Sequence, residues 1–85
     1  MYKLELDKKV RKFLKTHPDI ATRFFYVMKE LTKNPYTSLL DIKKLAGSVN
    51  HYRLRIWKYR FLYEVRENEI LIYFYKADSR WNVYK

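Results

Sequence analysis

Residues 52–65 read YRLRIWKYRFLYEV, and this stretch decides the fold of the chain. Aromatic and β-branched residues alternate with polar ones on both sides of Trp57-Lys58, which is typical of two strands joined by a tight hairpin. A two-residue turn at Trp57-Lys58 sets the register and places Arg55 directly opposite Arg60. Because successive side chains of a strand point to opposite faces of a sheet, the hairpin has one apolar face and one arginine-bearing face.

A third strand over residues 70–75 extends this hairpin into a meander. The apolar face, which we expect to pack on the core, takes alternate residues of all three strands: Tyr52, Leu54, Ile56, Tyr59, Phe61, Tyr63, Val65, Ile70, Ile72 and Phe74. The opposite face, here named the open face, takes the residues between them: Arg53, Arg55, Arg60, Leu71, Tyr73 and Tyr75.

The first half of the chain predicts a short strand and two helices. Residues 2–6 alternate as a strand does, and Asp7 is placed to cap a helix over residues 8–16. Pro18 opens a second helix, since proline suits the first helical position, and Asn34-Pro35 ends it. The two helices form a hairpin with its apolar stripe on one side.

Residues 36–49 predict an irregular covering loop or a short strand. The whole order is then β-α-α-β-β-β, an α+β fold in which a helix hairpin packs on one face of a small antiparallel sheet. A chain of 85 residues has room for one domain, so we expect residues 1–85 to form a single unit.

Composition narrows the possible chemistry. The absence of cysteine excludes a disulfide framework and a thiolate metal site. Only His17 and His51 could supply imidazole ligands, so we expect no metal site and no cofactor. The N-terminus lacks the apolar run of a signal peptide, and no stretch approaches the ~20 apolar residues of a membrane helix. We therefore expect a cytoplasmic protein without a membrane partner.

The charge distribution points to an anionic partner. The formal net charge is +10, a strong self-repulsion for 85 residues that nucleic acid or an acidic protein would relieve, although net charge also serves solubility. Five of the seven arginines follow residue 50, in the strands. Arginine makes forked, bidentate contacts with phosphate, so its concentration there predicts an anion site.

The open face would bring three of these arginines together. Like charges directly opposite each other destabilise a strand pair, so the arrangement needs an explanation. Glu64 on the same face, or side chains extended into water, would explain it structurally. The functional explanation is phosphate held by the arginines and a base stacked on Tyr73 or Tyr75, as in recognition of single-stranded RNA.

The same residues resemble a known family. The stretch 52–65 is similar to the "YRLRxGxYRxxYEV" pattern of the RelE/ParE toxin superfamily. Lys43-Lys44-Leu45-Ala46-Gly47 resembles the "KKLxG" segment that precedes it, and residues 78–84 resemble the closing "xxRxxVY". The resemblance extends over essentially the whole chain, and the superfamily has the β-α-α-β-β-β fold.

This resemblance implies a toxin of a toxin–antitoxin pair. RelE-type members cleave mRNA in the ribosomal A site without a metal, by attack of the RNA 2′-hydroxyl on the adjacent phosphate, and a cognate antitoxin neutralises them. The residues that match the catalytic positions of the family are Arg53, Arg55, Arg60, Arg80 and Tyr84. We expect five further residues to bind the RNA: Tyr73, Tyr75, Trp57, Trp81 and Lys58.

Several positions depart from the family pattern. Ala46 stands where a basic residue often precedes the glycine, and arginine occupies the first two basic positions of the sheet, Arg53 and Arg55, where some members carry lysine. Arginine is a poor proton shuttle, so Tyr84, Glu64 or His51 would have to transfer protons, although a histidine at a strand edge, as His51 is, is more often an ordinary surface residue. Relatives usually have glycine at Trp57 and Trp81. We expect both tryptophans to crowd the open face near the arginines, where they could be stacking platforms, could block the cleft, or could be deliberate replacements that attenuate the toxin.

Two alternative functions remain open at this point. A ParE-type toxin inhibits DNA gyrase by binding, without nuclease activity, and a degenerate toxin would bind only its antitoxin. The full set of basic and tyrosine positions favours the nuclease. An antitoxin of this class is acidic and partly disordered, and the helix-hairpin face is the predicted groove for its apolar residues.

Overall fold

The computed structural model describes residues 1–79. Their elements, in chain order, are β1 (Lys3–Leu6), α1 (Lys8–Lys15), α2 (Pro18–Leu31), β2 (Ile42–Lys44), β3 (His51–Ile56), β4 (Tyr59–Arg66), a 3₁₀ helix (Glu67–Glu69) and β5 (Leu71–Ser79). The predicted α+β class is confirmed, with two helices packed on a mostly antiparallel sheet. Arg80, Trp81 and Tyr84 lie outside the described residues.

The helix ends follow the predicted signals. The Asp7 carboxylate accepts a hydrogen bond from the Lys9 backbone N–H at 2.9 Å, so Asp7 caps α1. Pro18 occupies the first turn of α2. α2 ends at Leu31, a little before Asn34-Pro35. At this end the Thr32 hydroxyl donates to the Met28 carbonyl at 2.8 Å. Local capping therefore stabilises the helix hairpin in addition to the packing of its apolar stripe.

The sheet has the order β1-β5-β4-β3-β2. β2, β3, β4 and β5 pair antiparallel, but β1 pairs parallel to β5, which the prediction of a purely antiparallel sheet did not include. The helix hairpin carries the chain across the sheet face and lets β1 occupy the edge beside β5. The stretch from residue 36 to 49 contributes β2, so the short-strand alternative is the correct one.

One core lies between the helices and the sheet. The helices contribute six buried side chains: Val10, Leu14, Ile20, Phe24, Met28 and Leu31. The strands contribute the residues predicted from alternation: Leu54, Ile56, Phe61, Tyr63, Val65, Ile72 and Phe74. Among the described residues, the buried side chains are apolar or aromatic, and none is charged. The predicted apolar face is thus the face that the helices cover.

Ile70 is an exception to the predicted alternation. It precedes β5, is 52% exposed and has a φ of +50°, because it ends the 3₁₀ turn in the left-handed region. Leu71 lies on the open face as predicted, but it is buried there, because it is placed between Lys3 and Arg66, whose aliphatic stems can cover it. The prediction that Ile70 belongs to the core was therefore wrong.

β5 contains a bulge at Tyr75. Phe74 pairs with Tyr63 and Lys76 pairs with Leu62, so Tyr75 is an extra residue without a partner on β4. Beyond the bulge the alternation is shifted by one, which puts Lys76 and Asp78 on the open face. No helix of the described part of the chain is long and apolar enough to cross a membrane.

Candidate functional site

The hairpin brings the three predicted arginines together on the open face. Arg55 pairs with Arg60 and Arg53 with Leu62, as the two-residue turn required. These side chains alternate with the buried residues of the same strands and therefore point away from the helices. The arginine cluster of the open face is defined here as Arg53, Arg55 and Arg60.

Neighbouring strands add two lysines to this cluster. Lys43 of β2 lies opposite Arg53, and Lys76 of β5 lies opposite Leu62 because the bulge shifts its register. Lys76, Arg60, Leu62 and Asp78 line a cavity of about 120 Å³. Sequence alone did not identify Lys76 as part of the site, since strict alternation from Tyr73 would have turned it toward the core.

Asp41 explains how the arginines tolerate one another. Its Oδ1 accepts from Arg53 Nη2 at 2.9 Å and its Oδ2 from Arg55 Nε at 2.7 Å. Its backbone carbonyl also accepts from the Arg55 N–H at 2.9 Å, which holds the residue beside β3. One carboxylate thus forms ion pairs with two of the three arginines and offsets part of their charge. The sequence prediction had named Glu64 or solvent for this task, and it missed Asp41.

Glu64 has a different role. It lies on the open face opposite His51, and its Oε1 accepts from Arg66 Nε at 3.0 Å while its Oε2 accepts from Asn50 Nδ2 at 3.1 Å. The Glu64 carboxylate raises the pKa of Arg66 through this hydrogen bond. Both oxygens of Glu64 therefore bind residues at the end of the sheet away from the hairpin turn. The suggestion that Glu64 offsets the charge of the arginine cluster was wrong.

The two predicted stacking tyrosines lie in different surroundings. The Tyr73 hydroxyl donates to Asp7 at 3.2 Å, and the Arg66 guanidinium lies over its ring at 4.9 Å. The Tyr75 hydroxyl lies 2.9 Å from Nδ1 of His51. Burial raises the pKa of both hydroxyls, with Asp7 adding to the effect at Tyr73, so both remain neutral phenols at physiological pH.

His51 also lies on the open face, where its ring contacts Tyr75. It begins β3 and is half-buried, whereas it was expected to be an ordinary surface histidine. The contact with Tyr75 depends on the bulge in β5, which the alternation of apolar and polar residues in the sequence does not reveal. A signal did exist: His51 precedes Arg53 by two residues, which places both on one face of the strand.

Trp57 and Lys58 form the hairpin turn and lie apart from the arginine cluster. Trp57 has a φ of +57°, the left-handed conformation that makes glycine usual at this turn position. Its ring is 55% exposed and lies under the Arg23 guanidinium of α2, whose carbon is 4.4 Å from the ring centroid. Trp57 therefore lies toward the helix side of the turn, and the expectation that it crowds the open face was wrong.

The turn also borders a cavity on the helix side of the sheet. A cavity of about 510 Å³ lies between the turn and the α1–α2 connection, lined by His17, Pro18, Trp57, Lys58 and Tyr59 among others. The Lys58 ammonium is 5.6 Å from the Tyr59 ring centroid. A role of Trp57 or Lys58 in binding would therefore be exerted at this edge of the sheet and not beside the arginine cluster.

A second polar cluster surrounds Glu67, on the corner of the sheet away from the hairpin turn. The Tyr2 hydroxyl donates to its Oε1 at 2.7 Å, and the Tyr36 hydroxyl donates to its Oε2. These bonds, that of Tyr36 first, lower the pKa of Glu67. Nearby, the buried Tyr63 hydroxyl donates to the Pro35 carbonyl at 2.6 Å. This cluster fastens the segment after α2 to the sheet.

Known proteins with similar sequence and structure agree with this architecture. The protein named toxin RelE1 in Methanocaldococcus jannaschii is 35% identical over 86 residues, which cover 99% of this chain and 96% of that protein. The RelE chain of the RelE–RelB complex from Pyrococcus horikoshii superposes with a TM-score of 0.81 at 29% identity, over 93% of this chain and 94% of that one.

Two further solved structures are also similar. The RelB–RelE complex from Methanococcus jannaschii gives a TM-score of 0.76 at 30% identity, covering 95% of each chain. The isolated Escherichia coli RelE toxin gives 0.78 at 17% identity, over 93% of this chain and 84% of that one, which shows the shared fold. No family model matches the sequence. Because the identity to the archaeal RelE1 extends over nearly the full length of both proteins, the chain belongs to the RelE toxin family.

Proposed function

We propose that this chain is a ribosome-dependent mRNA endoribonuclease, held inactive by a cognate antitoxin. The observation that carries the proposal is the arginine cluster on a solvent-facing sheet, extended by Lys43 and Lys76, in a member of the RelE family. Guanidinium groups on adjacent strands can hold a phosphate bidentately from two sides. Lys43, Arg53 and Lys76 lie along one line of paired residues across the strands, and Arg55 and Arg60 form the pair two residues further along β3. Five cations grouped in this way suit a backbone phosphate of single-stranded RNA.

The proposed chemistry needs charge stabilisation above all. When the 2′-oxygen of RNA attacks the adjacent phosphorus, negative charge accumulates on the phosphate oxygens, and fixed cations lower the barrier. Asp41 holds Arg53 and Arg55 in place before RNA arrives, which spares the cost of ordering two long side chains. Arg80 and Tyr84, which match the family pattern, would act from the end of the chain, outside the described residues.

The proposed partner is an acidic antitoxin that binds the helix hairpin. The similar structures from Pyrococcus horikoshii and Methanococcus jannaschii are complexes of RelE with RelB. On this chain an apolar groove of about 350 Å³ follows the helices and has basic side chains at its border; its lining is Leu6, Arg11, Leu14, Lys15, Ala21 and Phe25. Such a groove suits an amphipathic segment that carries carboxylates beside its apolar anchors.

A cleavage assay tests the nuclease proposal. The purified chain is added to translating ribosomes and mRNA 3′ ends are mapped, beside a gyrase supercoiling assay. We expect codon-phased cuts, reduced about 10²- to 10³-fold by Arg60→Ala, as for loss of one transition-state contact. Arg11→Ala removes the same charge from the exposed surface of α1 and should leave cleavage intact. Inhibition of supercoiling without cuts would favour the ParE-type alternative.

The antitoxin proposal has its own test. Phe25, half-exposed in the groove, is changed to alanine, and affinity for the antitoxin is measured by calorimetry. We expect a loss of at least ~2 kcal/mol in binding, the scale of a buried aromatic anchor. Tyr26→Ala on the same helix, 70% exposed and outside the groove, is the matched control. Equal effects of the two substitutions would place the antitoxin elsewhere.

A further inference from the structure

The open face contains a histidine–tyrosine pair that the arginine-based chemistry does not use. His51 is on β3 and Tyr75 is the bulged residue of β5, with β4 between them. The tyrosine side chain reaches across β4, so that its hydroxyl lies 2.9 Å from His51 Nδ1, and the two rings meet at 69° with centroids 5.4 Å apart. The bulge is what makes this contact possible.

The proposed reaction needs a proton acceptor, and the neighbouring carboxylates are engaged. Both oxygens of Asp41 accept from Arg53 and Arg55. Both oxygens of Glu64 accept, from Arg66 and from Asn50. The remaining carboxylate beside the cluster, Asp78, is ion-paired with Lys76 at 3.6 Å. Arginine itself stays protonated and cannot accept a proton at neutral pH.

The imidazole of His51 meets the requirement that these groups do not. Imidazole is the side chain whose charge changes nearest to neutral pH. Within the described residues the hydrogen bond of the His51 ring is made by Nδ1 alone. When Nδ1–H donates to the Tyr75 oxygen, Nε2 is left as the basic atom. His51 shares a face of β3 with Arg53 two residues on, about 7 Å along the strand.

We infer that His51, oriented by Tyr75, is the general base of the cleavage; the inference rests on the proposed nuclease function. In the step, the 2′-O–H proton moves to Nε2 as the 2′-oxygen forms its bond to phosphorus and the P–O5′ bond breaks. The products are a 2′,3′-cyclic phosphate and a 5′-oxygen, which takes a proton from water. The hydroxide so formed removes the proton from the imidazolium, and the histidine is regenerated.

Charged groups of three strands surround this base. Glu64 faces it from β4, Arg53 flanks it on β3, and Lys43 lies beyond Arg53 on β2. Tyr75 from β5 is held neutral by burial and by the Glu64 charge, both of which raise its pKa. The Tyr75 hydroxyl sets the orientation of the imidazole.

The test compares single-turnover cleavage by the full chain and by His51→Gln across pH 5 to 9, with thermal unfolding and antitoxin affinity measured for each. We expect His51→Gln to lower the rate about 10²- to 10⁴-fold and to abolish the rise of rate with pH near neutrality, while antitoxin binding is kept. Tyr75→Phe should lower the rate less. His17→Gln, which removes the other histidine, should keep both rate and pH profile.

Chemical rescue separates a base from a structural residue. Added imidazole should restore part of the activity of His51→Gly, which a residue needed only for folding would not show. If the unsubstituted chain cleaves mRNA and His51→Gln has the same rate and pH profile, the inference is overturned while the proposed function stands. A lost pH dependence in Glu64→Gln, and not in His51→Gln, would overturn it too. Absence of cleavage by the unsubstituted chain would reject the proposed function itself.

Discussion

The two faces of β4 are built from alternate residues of one strand, yet they are held by opposite kinds of interaction. Phe61, Tyr63 and Val65 on the helix-covered face are at most 2% exposed and pack on apolar side chains of both helices. Arg60, Leu62 and Glu64 on the open face remain partly exposed, and the Glu64 carboxylate accepts hydrogen bonds from Asn50 and Arg66. The apolar packing that stabilises the fold therefore lies mainly on the helix-covered face. The open face can carry charged residues because the core does not depend on them.

The largest expected effect comes from comparing substitutions at two adjacent residues of β4, one on each face. Phe61→Ala removes a fully buried ring that contacts Phe24 and Phe74, and it should destabilise the chain by about 3–5 kcal/mol. Leu62→Ala, the next residue and on the open face, should cost about 1 kcal/mol or less. Chemical denaturation measures both. Equal losses would mean that the open face carries packing energy as well.

The next effect probes a buried hydroxyl, that of Tyr63, which joins the core face to the segment after α2. Tyr63→Phe leaves the buried Pro35 carbonyl without its 2.6 Å partner and should cost about 1–3 kcal/mol. Tyr26→Phe, which removes an exposed hydroxyl, should change the free energy of unfolding by no more than about 0.5 kcal/mol. A neutral Tyr63→Phe would show that water replaces the lost donor.

Asp41→Asn tests how the open face balances its charge. The ion pairs to Arg53 and Arg55 are partly exposed, so their loss should lower stability by only about 1 kcal/mol or less. Two uncompensated guanidiniums should bind single-stranded RNA more tightly at low salt, with a steeper decrease of affinity as salt rises. Filter binding at several salt concentrations measures this, with Asp19→Asn as the control. Weaker RNA binding would show that the loss of Asp41 as a positioning group for Arg53 and Arg55 outweighs the gain in positive charge.

The smallest expected effect concerns pH and the Glu67 cluster. The folded chain lowers the pKa of Glu67, so the stabilisation from this carboxylate is complete above its ordinary pKa of ~4.3 and is lost as pH falls through the lowered value. Glu67→Gln should therefore show a shallower decrease of Tm between pH 5 and pH 3 than the unsubstituted chain. Glu30→Gln, which removes an exposed carboxylate of α2, should keep the original slope. An unchanged slope in Glu67→Gln would assign the acid sensitivity to other carboxylates.

The sequence predicted the core face almost completely, and the open face only in part. Period-two alternation predicted Leu54, Phe61 and Phe74 in the core because burial and strand geometry are both local consequences of the pattern. Alternation failed at Ile70 and beyond Tyr75, where a left-handed turn residue and a bulge change the register without changing the composition. A one-residue shift moves every later side chain to the other face.

What the sequence by itself determined is the class of fold, the hairpin register and the presence of three arginines on one face, because each follows from contacts between residues near in the chain. Only the tertiary structure decided the partners of those arginines and of the histidine. Asp41 reaches Arg53 and Arg55 from a loop, and Tyr75 reaches His51 across a strand. Polar contacts of this kind depend on side-chain direction and on the packing of distant elements, which no local period encodes.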